Sequence, residues 1–207
     1  MQMTGVLGAF YHFSEWGVRL VYVNLLWFIF AALGGGILGV FPATQALFSV
    51  TRHWLNGDET IPVLRTFWKS YREYFIRSNI LGYLLLLLGF ILWIDFQFIQ
   101  TQSGIVATAS EIILIGMLFM YGIVVMYIFP VYTHYRMNLL DAIKDALFIG
   151  VLHPFRTFLM MLMHLLIFYI LLLVPGIIPF ISVSLLSLIG IYMAGLSFKR
   201  IDMKRIV

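Results

Sequence analysis

The chain has 207 residues, of which 62% are hydrophobic and 11% are charged, and its formal net charge is +4. A soluble domain carries about 25% charged residues, so this composition excludes a soluble enzyme and a disordered chain. It predicts an integral membrane protein that forms one domain over residues 1–207. Because the sequence contains no cysteine, a disulfide scaffold, a thiolate nucleophile and a Cys-ligated zinc site are also excluded.

The first apolar stretch is interrupted by three consecutive glycines, Gly34 to Gly36. Each glycine costs a helix about 1 kcal/mol relative to alanine. Pro42 suits the first turn of a new helix, because its missing N–H is no loss there. We therefore expect a hairpin of two helices, over about residues 6–33 and 37–55. The alternative is a single span that runs through the glycines.

Four later segments are apolar and close to the length that a membrane requires. A helix rises about 1.5 Å per residue, so about 20 residues cross a hydrocarbon core of about 30 Å. We expect helices over residues 78–98, 111–132, 157–174 and 180–198. Together with the hairpin they predict an all-α, polytopic transmembrane helical bundle of about six helices.

Two stretches between these spans are amphipathic, at residues 62–77 and 137–152. In the first, Phe67, Tyr71 and Phe75 recur every four residues, and basic side chains lie between them. This pattern predicts a helix that lies flat in the cytoplasmic membrane interface or packs on the cytoplasmic face of the bundle. In the flat arrangement its aromatic rings would lie at the acyl-chain boundary and its cations on anionic headgroups. The alternative is a cytoplasmic extension of the third spanning helix. The candidate surface comprises Arg65, Phe67, Trp68, Lys69, Tyr71, Arg72 and Phe75.

The distribution of positive charge favours six helices over five. Lys and Arg concentrate in cytoplasmic loops, and all 13 basic residues fall on one side only if the glycines reverse the chain. We therefore expect a multi-pass plasma-membrane protein with both termini in the cytoplasm. With five helices, Arg19 and the N-terminus would lie outside.

Three polar side chains fall within the apolar segments. Asn24 and Gln45 lie on the two arms of the hairpin, and His164 lies eight residues after Arg156. An amide in hydrocarbon needs a partner, so we expect both amides to bond neighbouring helices, at about 0.6–2 kcal/mol per bond. Substrate contact is the alternative for the amides. For His164 we expect a neutral imidazole bonded to a neighbouring helix, with a functional ionisable group as the alternative.

Sequence motifs of catalysis are absent from the 207 residues: there is no phosphate-binding loop, no zinc-protease helix and no nucleophile elbow. No two histidines are four residues apart, so we expect no metal site and no cofactor. Positive-inside bias explains the basic loops, so we expect lipid headgroups rather than nucleic acid as their partner. The protein is expected not to be an enzyme.

The N-terminal half carries a recognisable series of motifs. Residues 24–27 read NLLW, residues 39–48 read GVFPATQALF, and residues 52–59 read RHWLNGDE, before the aromatic-basic stretch at 67–75. This series resembles the YesL-like family of bacterial integral membrane proteins. The resemblance implies a Gram-positive source and a link to carbohydrate uptake and degradation, but it implies no reaction.

The sequence thus favours a non-enzymatic accessory or scaffolding membrane protein, whose carbohydrate link rests on the resemblance alone. Its partners would be the bilayer with its anionic headgroups and a membrane protein such as a carbohydrate transporter. The alternative is a small transporter or channel that uses the inner faces of the hairpin.

Overall fold

A computed structural model describes residues 6–135 and 137–205 of the chain, with side chains described for 11–135 and 137–198. Over these residues the protein is all-helical, which confirms the predicted fold class. The helices are α1 (Val6–Leu33), α2 (Val40–Leu55), α3 (Val63–Ile99), α4 (Ile105–Tyr135), α5 (Leu139–Leu152), α6 (Pro154–Leu173) and α7 (Ile178–Arg205), and a 3-10 turn (Pro175–Ile177) joins the last two.

The predicted glycine bend is present between α1 and α2. Gly35 and Gly36 have φ angles of 75° and 74°, a conformation that side chains disfavour, so glycine is required to turn the chain. Gly39 is buried, and a Cβ there would lie 2.2 Å from the carbonyl oxygen of Ala31. The small residues therefore bring the two helices of one chain into close contact.

α2 is the most enclosed helix of the hairpin, and it is shorter than the predicted helix over residues 37–55. It has 16 residues and is about 24 Å long, so it falls short of a hydrocarbon core of about 30 Å. It lies among α1, α3, α4 and α7. Five described segments are long and apolar enough to cross a membrane: Tyr11–Leu33, Val63–Ile99, Ile105–Tyr135, Pro154–Leu173 and Pro175–Phe198.

α3 corrects a second expectation, because the predicted interfacial helix at 62–77 and the predicted span at 78–98 are one continuous helix of 37 residues. No proline interrupts the chain near their junction, and Ser78 and Asn79 are buried there against the bundle. Asn79 donates to the carbonyl oxygen of Leu38 at 2.9 Å, so the glycine bend lies beside the middle of α3.

The connection between the predicted helices at 78–98 and 111–132 is shorter than expected. It occupies only residues 100–104, and Gly104 has a φ of 93° at its end. Glu111, which was expected at a helix start, lies in the second turn of α4. α4 also continues through Pro130 to Tyr135, beyond the predicted end at residue 132.

The second amphipathic stretch forms α5, as its pattern predicted, and packs against α4. Its buried face consists of small or aliphatic residues, including Ala142, Ala146 and Ile149. A Cβ on Gly150 would lie 2.2 Å from the side chain of Ile123, so α5 and α4 are in direct contact. The interior of the bundle therefore has one hydrophobic cluster around α2 and another around α4 and α5.

Candidate functional site

Asn24 of α1 binds the first turns of α7 through both ends of its amide. Its Nδ2 donates to the carbonyl oxygen of Pro179 at 2.7 Å, with a longer bond of 3.4 Å to that of Ile178. Its Oδ1 accepts from the backbone N–H groups of Val183 and Ser184, both at 3.0 Å. In a regular helix the N–H of Val183 donates to the carbonyl oxygen of Pro179, four residues earlier. Asn24 bonds to both of these backbone groups from outside the helix.

The polar contacts continue from α7 to α2. Ser187 donates its hydroxyl to the carbonyl oxygen of Ser184 at 2.9 Å. Thr51 donates its hydroxyl to that of Ser187, 2.9 Å away, and the carbonyl oxygen of Leu47 lies 3.0 Å from the same Thr51 oxygen. A buried polar network therefore holds α1, α7 and α2 together.

Gln45 of α2 bonds to α4 rather than to Asn24. Its Nε2 donates to the hydroxyl of Thr133 at 2.9 Å, and that hydroxyl donates to the carbonyl oxygen of Phe129 at 2.7 Å. The Gln45 side chain is buried, and its Oε1 accepts no hydrogen bond from the described residues. One end of this amide is therefore structural, and the other is an unpaired acceptor.

Beside Gln45 lies a polar cavity of about 200 Å³ between α2, α3 and α4. On one wall Ser70 of α3 donates to the hydroxyl of Ser49 at 3.0 Å. Arg52 donates from Nη1 to the carbonyl oxygen of Thr133 on the opposite wall. The cavity is lined by Gln45, Ser49, Arg52, His53, Asn56, Ser70, Tyr74 and Thr133.

His164 is half-buried in α6, and its partner differs from the expected one. Its Nδ1 donates to the carbonyl oxygen of Met160 at 2.8 Å, one turn earlier in the same helix. The expected bond to a neighbouring helix is therefore replaced by a local one. Among the described side chains, no group of three His, Asp or Glu is placed to hold a metal ion.

The aromatic residues of segment 62–77 divide between the two faces of α3. Phe67 is fully buried, with its ring centroid 5.0 Å from that of Phe30. Tyr71 donates its hydroxyl to the carbonyl oxygen of Phe30 at 3.1 Å, and Phe75 is half-buried beside Tyr71. Because the hairpin occupies this face of α3, these rings pack on α1 and α2 instead of lying at an acyl-chain boundary.

The opposite face of the same segment is exposed and carries its cations. Arg65, Lys69 and Arg72 are exposed, and Trp68 is 45% exposed. The Arg72 guanidinium carbon lies 5.6 Å from the centroid of the Trp68 ring, within the range of a cation–π interaction. We call these four residues the outer face of α3.

Arg19 forms an ion pair that the sequence reasoning did not identify. Its guanidinium contacts Glu15 at 2.6 Å and Glu59, in the loop between α2 and α3, at 2.7 Å. Arg19 itself was the signal for this pair in the sequence, because a lone cation within an apolar segment requires a partner. The pair fixes the N-terminal half of α1 beside the α2–α3 loop.

Multiple long apolar helices with inward polar groups define the class of an integral, multi-pass membrane protein. The family model described as "Protein of unknown function, DUF624" matches residues 20–96, which cover the second half of α1, all of α2 and most of α3. The chain belongs to this family, as the resemblance to the YesL-like proteins predicted.

Relatives in Bacillus subtilis (strain 168) match nearly the whole chain. The uncharacterized protein YteU is 39% identical over 188 residues, which are 90% of this chain and 84% of YteU. The uncharacterized protein YesV is 32% identical, over 96% of each chain. The uncharacterized protein YesL is 29% identical, over 99% of this chain and 97% of YesL. No solved structure matches the chain significantly.

Proposed function

We propose that the protein is a non-enzymatic accessory or scaffolding component of a membrane transport system. The observation that carries the proposal is the use of the polar groups inside the bundle. Asn24 and Thr51 bond to other helices, and His164 bonds within its own helix. Polar groups that serve helix packing are characteristic of a structural bundle, which presents its outer surface to partners.

The working surface in this proposal is the outer face of α3. Its cations suit anionic headgroups, each worth about 1 kcal/mol near a charged leaflet. Trp68 is an exposed aromatic ring beside Arg72, and both residue types are enriched where proteins bind one another. We propose that this face binds a membrane protein partner at the lipid surface.

The proposed orientation places both termini and the α2–α3 loop in the cytoplasm. Two observations support it. The Arg19–Glu59 pair lies where the N-terminal half of α1 meets that loop, and positive-inside bias assigns the basic loops to the cytoplasm. The proposed partner is a carbohydrate-uptake transporter, and this part rests only on the family resemblance.

The test is recovery of partners from the native membrane after mild crosslinking. A Trp68→Ala/Arg72→Gln variant should lose a partner that the wild type recovers. Trp93→Ala removes another exposed tryptophan, which is 54% exposed in the apolar half of α3, and it should retain that partner. Equal recovery of all crosslinked proteins by the two variants would contradict the proposed surface.

A small transporter is the second candidate function, and the cavity beside Gln45 is the observation that favours it. The purified protein in vesicles distinguishes the two. Release of entrapped glucose or KCl at the rate of protein-free vesicles is expected for the accessory role. Faster release that Gln45→Leu abolishes would favour the transporter.

A further inference from the structure

We propose that the cavity between α2, α3 and α4 is a binding site for a small hydroxylated organic anion. One face of α2 supplies most of its wall. Its polar residues lie at intervals of four, three and four positions along the chain, which places them on one side of α2 and of its C-terminal end. They are Gln45, Ser49, Arg52 and Asn56. The polar face runs from the buried centre of the bundle to the exposed Asn56.

The deep end of the cavity has an acceptor that needs a donor. Gln45 is 1% exposed, and its Oε1 has no hydrogen-bond partner among the described residues. A buried acceptor left without a donor destabilises the folded protein. The nearby hydroxyls of Ser49 and Ser70 bond to each other. A hydroxyl of a bound ligand would satisfy Oε1.

The wall nearer the opening carries positive charge. Arg52 is held in place by its bond to the carbonyl oxygen of Thr133, and its guanidinium lines the cavity. Guanidinium groups bind carboxylates and phosphates through charge-assisted hydrogen bonds. His53 lines the same end, and Asp58 lies 3.4 Å from its Nδ1. The ligand is therefore expected to place its anionic group at Arg52 and a hydroxyl at Gln45.

The size of the cavity sets the size of the ligand. A volume of about 200 Å³ is well above the roughly 10–15 Å³ that one water needs, so the cavity has room for a small organic molecule. This suits a three-carbon hydroxy acid. The same chemistry, an anionic oxygen with neighbouring hydroxyls, also occurs in the headgroup of phosphatidylglycerol. The bound ligand is therefore either a free hydroxy acid or the headgroup of a lipid.

The test is calorimetric titration of the full-length protein in phosphatidylcholine nanodiscs. The probes are D-glycerate, propionate, which lacks the hydroxyls, and glycerol, which lacks the charge. D-glycerate should bind about tenfold more tightly than either, because propionate loses the hydroxyl bond to Gln45 and glycerol loses the charged contact with Arg52. Repeating the titration in phosphatidylglycerol nanodiscs identifies the source: unchanged D-glycerate binding indicates a free acid, and loss of binding indicates a lipid headgroup.

Variants connect the binding to the cavity. Gln45→Leu should weaken D-glycerate binding about tenfold and leave propionate unchanged, and Arg52→Gln should weaken both. Gln102→Leu, at an exposed position in the loop after α3, is the matched control and should alter neither. Gln45→Met preserves the volume and keeps the test valid if Gln45→Leu misfolds. Failure of D-glycerate to bind in phosphatidylcholine, or equal binding to the wild type and Gln45→Met, would overturn the proposal and leave a cavity that holds water only.

Discussion

Replacing Asn24 with leucine removes the amide that joins α1 to α7. The amide makes four hydrogen bonds to α7, to the carbonyl oxygens of Ile178 and Pro179 and to the N–H groups of Val183 and Ser184. Side-chain hydrogen bonds inside membrane proteins average about 0.6 kcal/mol, so the four together contribute about 2.4 kcal/mol. For a chain of this size, each kcal/mol corresponds to about 2–4 °C. We expect the Tm to fall by about 5–10 °C.

The assay is tryptophan fluorescence during thermal unfolding in a mild detergent. Asn138→Leu is the matched control, because Asn138 is exposed and its side chain does not cap α5. We expect its Tm to stay within about 2 °C of the wild type, since exposed substitutions change stability by less than about 0.5 kcal/mol. Equal Tm values for the two variants would refute the reasoning that Asn24 fastens α7 to the hairpin.

Four further variants test the packing in the same assay. Gly39→Ala puts a Cβ 2.2 Å from the carbonyl oxygen of Ala31, so it should lower the free energy of unfolding by about 1–3 kcal/mol. In Gly116→Ala the new Cβ meets no atom within 4 Å, so this variant should be more stable than the wild type by about 0.5–1 kcal/mol. Phe67→Ala empties a fully buried site and should cost about 3–5 kcal/mol. Lys69→Ala, on the exposed face of the same helix, should cost less than about 1 kcal/mol; a loss as large as that of Phe67→Ala would contradict the assignment of the two faces.

Much of the fold follows from local signals that the sequence states directly. Three glycines before Pro42 predicted the bend, and the lengths of the apolar runs predicted the later helices. Those signals are local because glycine, proline and hydropathy act on the backbone or the solvent at their own positions. The predicted end of the fourth helix was too early because it was placed where the uncharged apolar run ends, at residue 132, whereas the helix continues through polar residues to Tyr135.

The division of the aromatic residues in segment 62–77 could not be read from their spacing. A four-residue period shows that Phe67, Tyr71 and Phe75 share a face of the helix. Lipid chains and a neighbouring helix are both apolar, so the period does not tell which of them covers that face. The carbonyl oxygen of Phe30 decides between them, because it accepts from Tyr71 at 3.1 Å. That contact joins residues 41 positions apart, so no local pattern encodes it.

The candidate site shows the same limit more sharply. The sequence identified Asn24 and Gln45 as amides that need partners, from residue type and hydropathy alone. Their partners lie 154–160 and 88 positions away in the chain, on helices whose register is set by packing. The unpaired Oε1 of Gln45 and the cavity beside it follow only once α2, α3 and α4 are in place.

The reversal of the chain at Gly34–Gly36 underlies the proposed topology, and cysteine labelling tests it most directly. The natural sequence has no cysteine, so single cysteines at the exposed positions His12, Thr60 and Ser103 give an unambiguous signal with a membrane-impermeant maleimide on intact cells. We expect labelling at Ser103 and protection at His12 and Thr60. Labelling at both His12 and Ser103, with Thr60 protected, would show that the chain crosses the membrane between residues 12 and 60 without returning, and would contradict the hairpin.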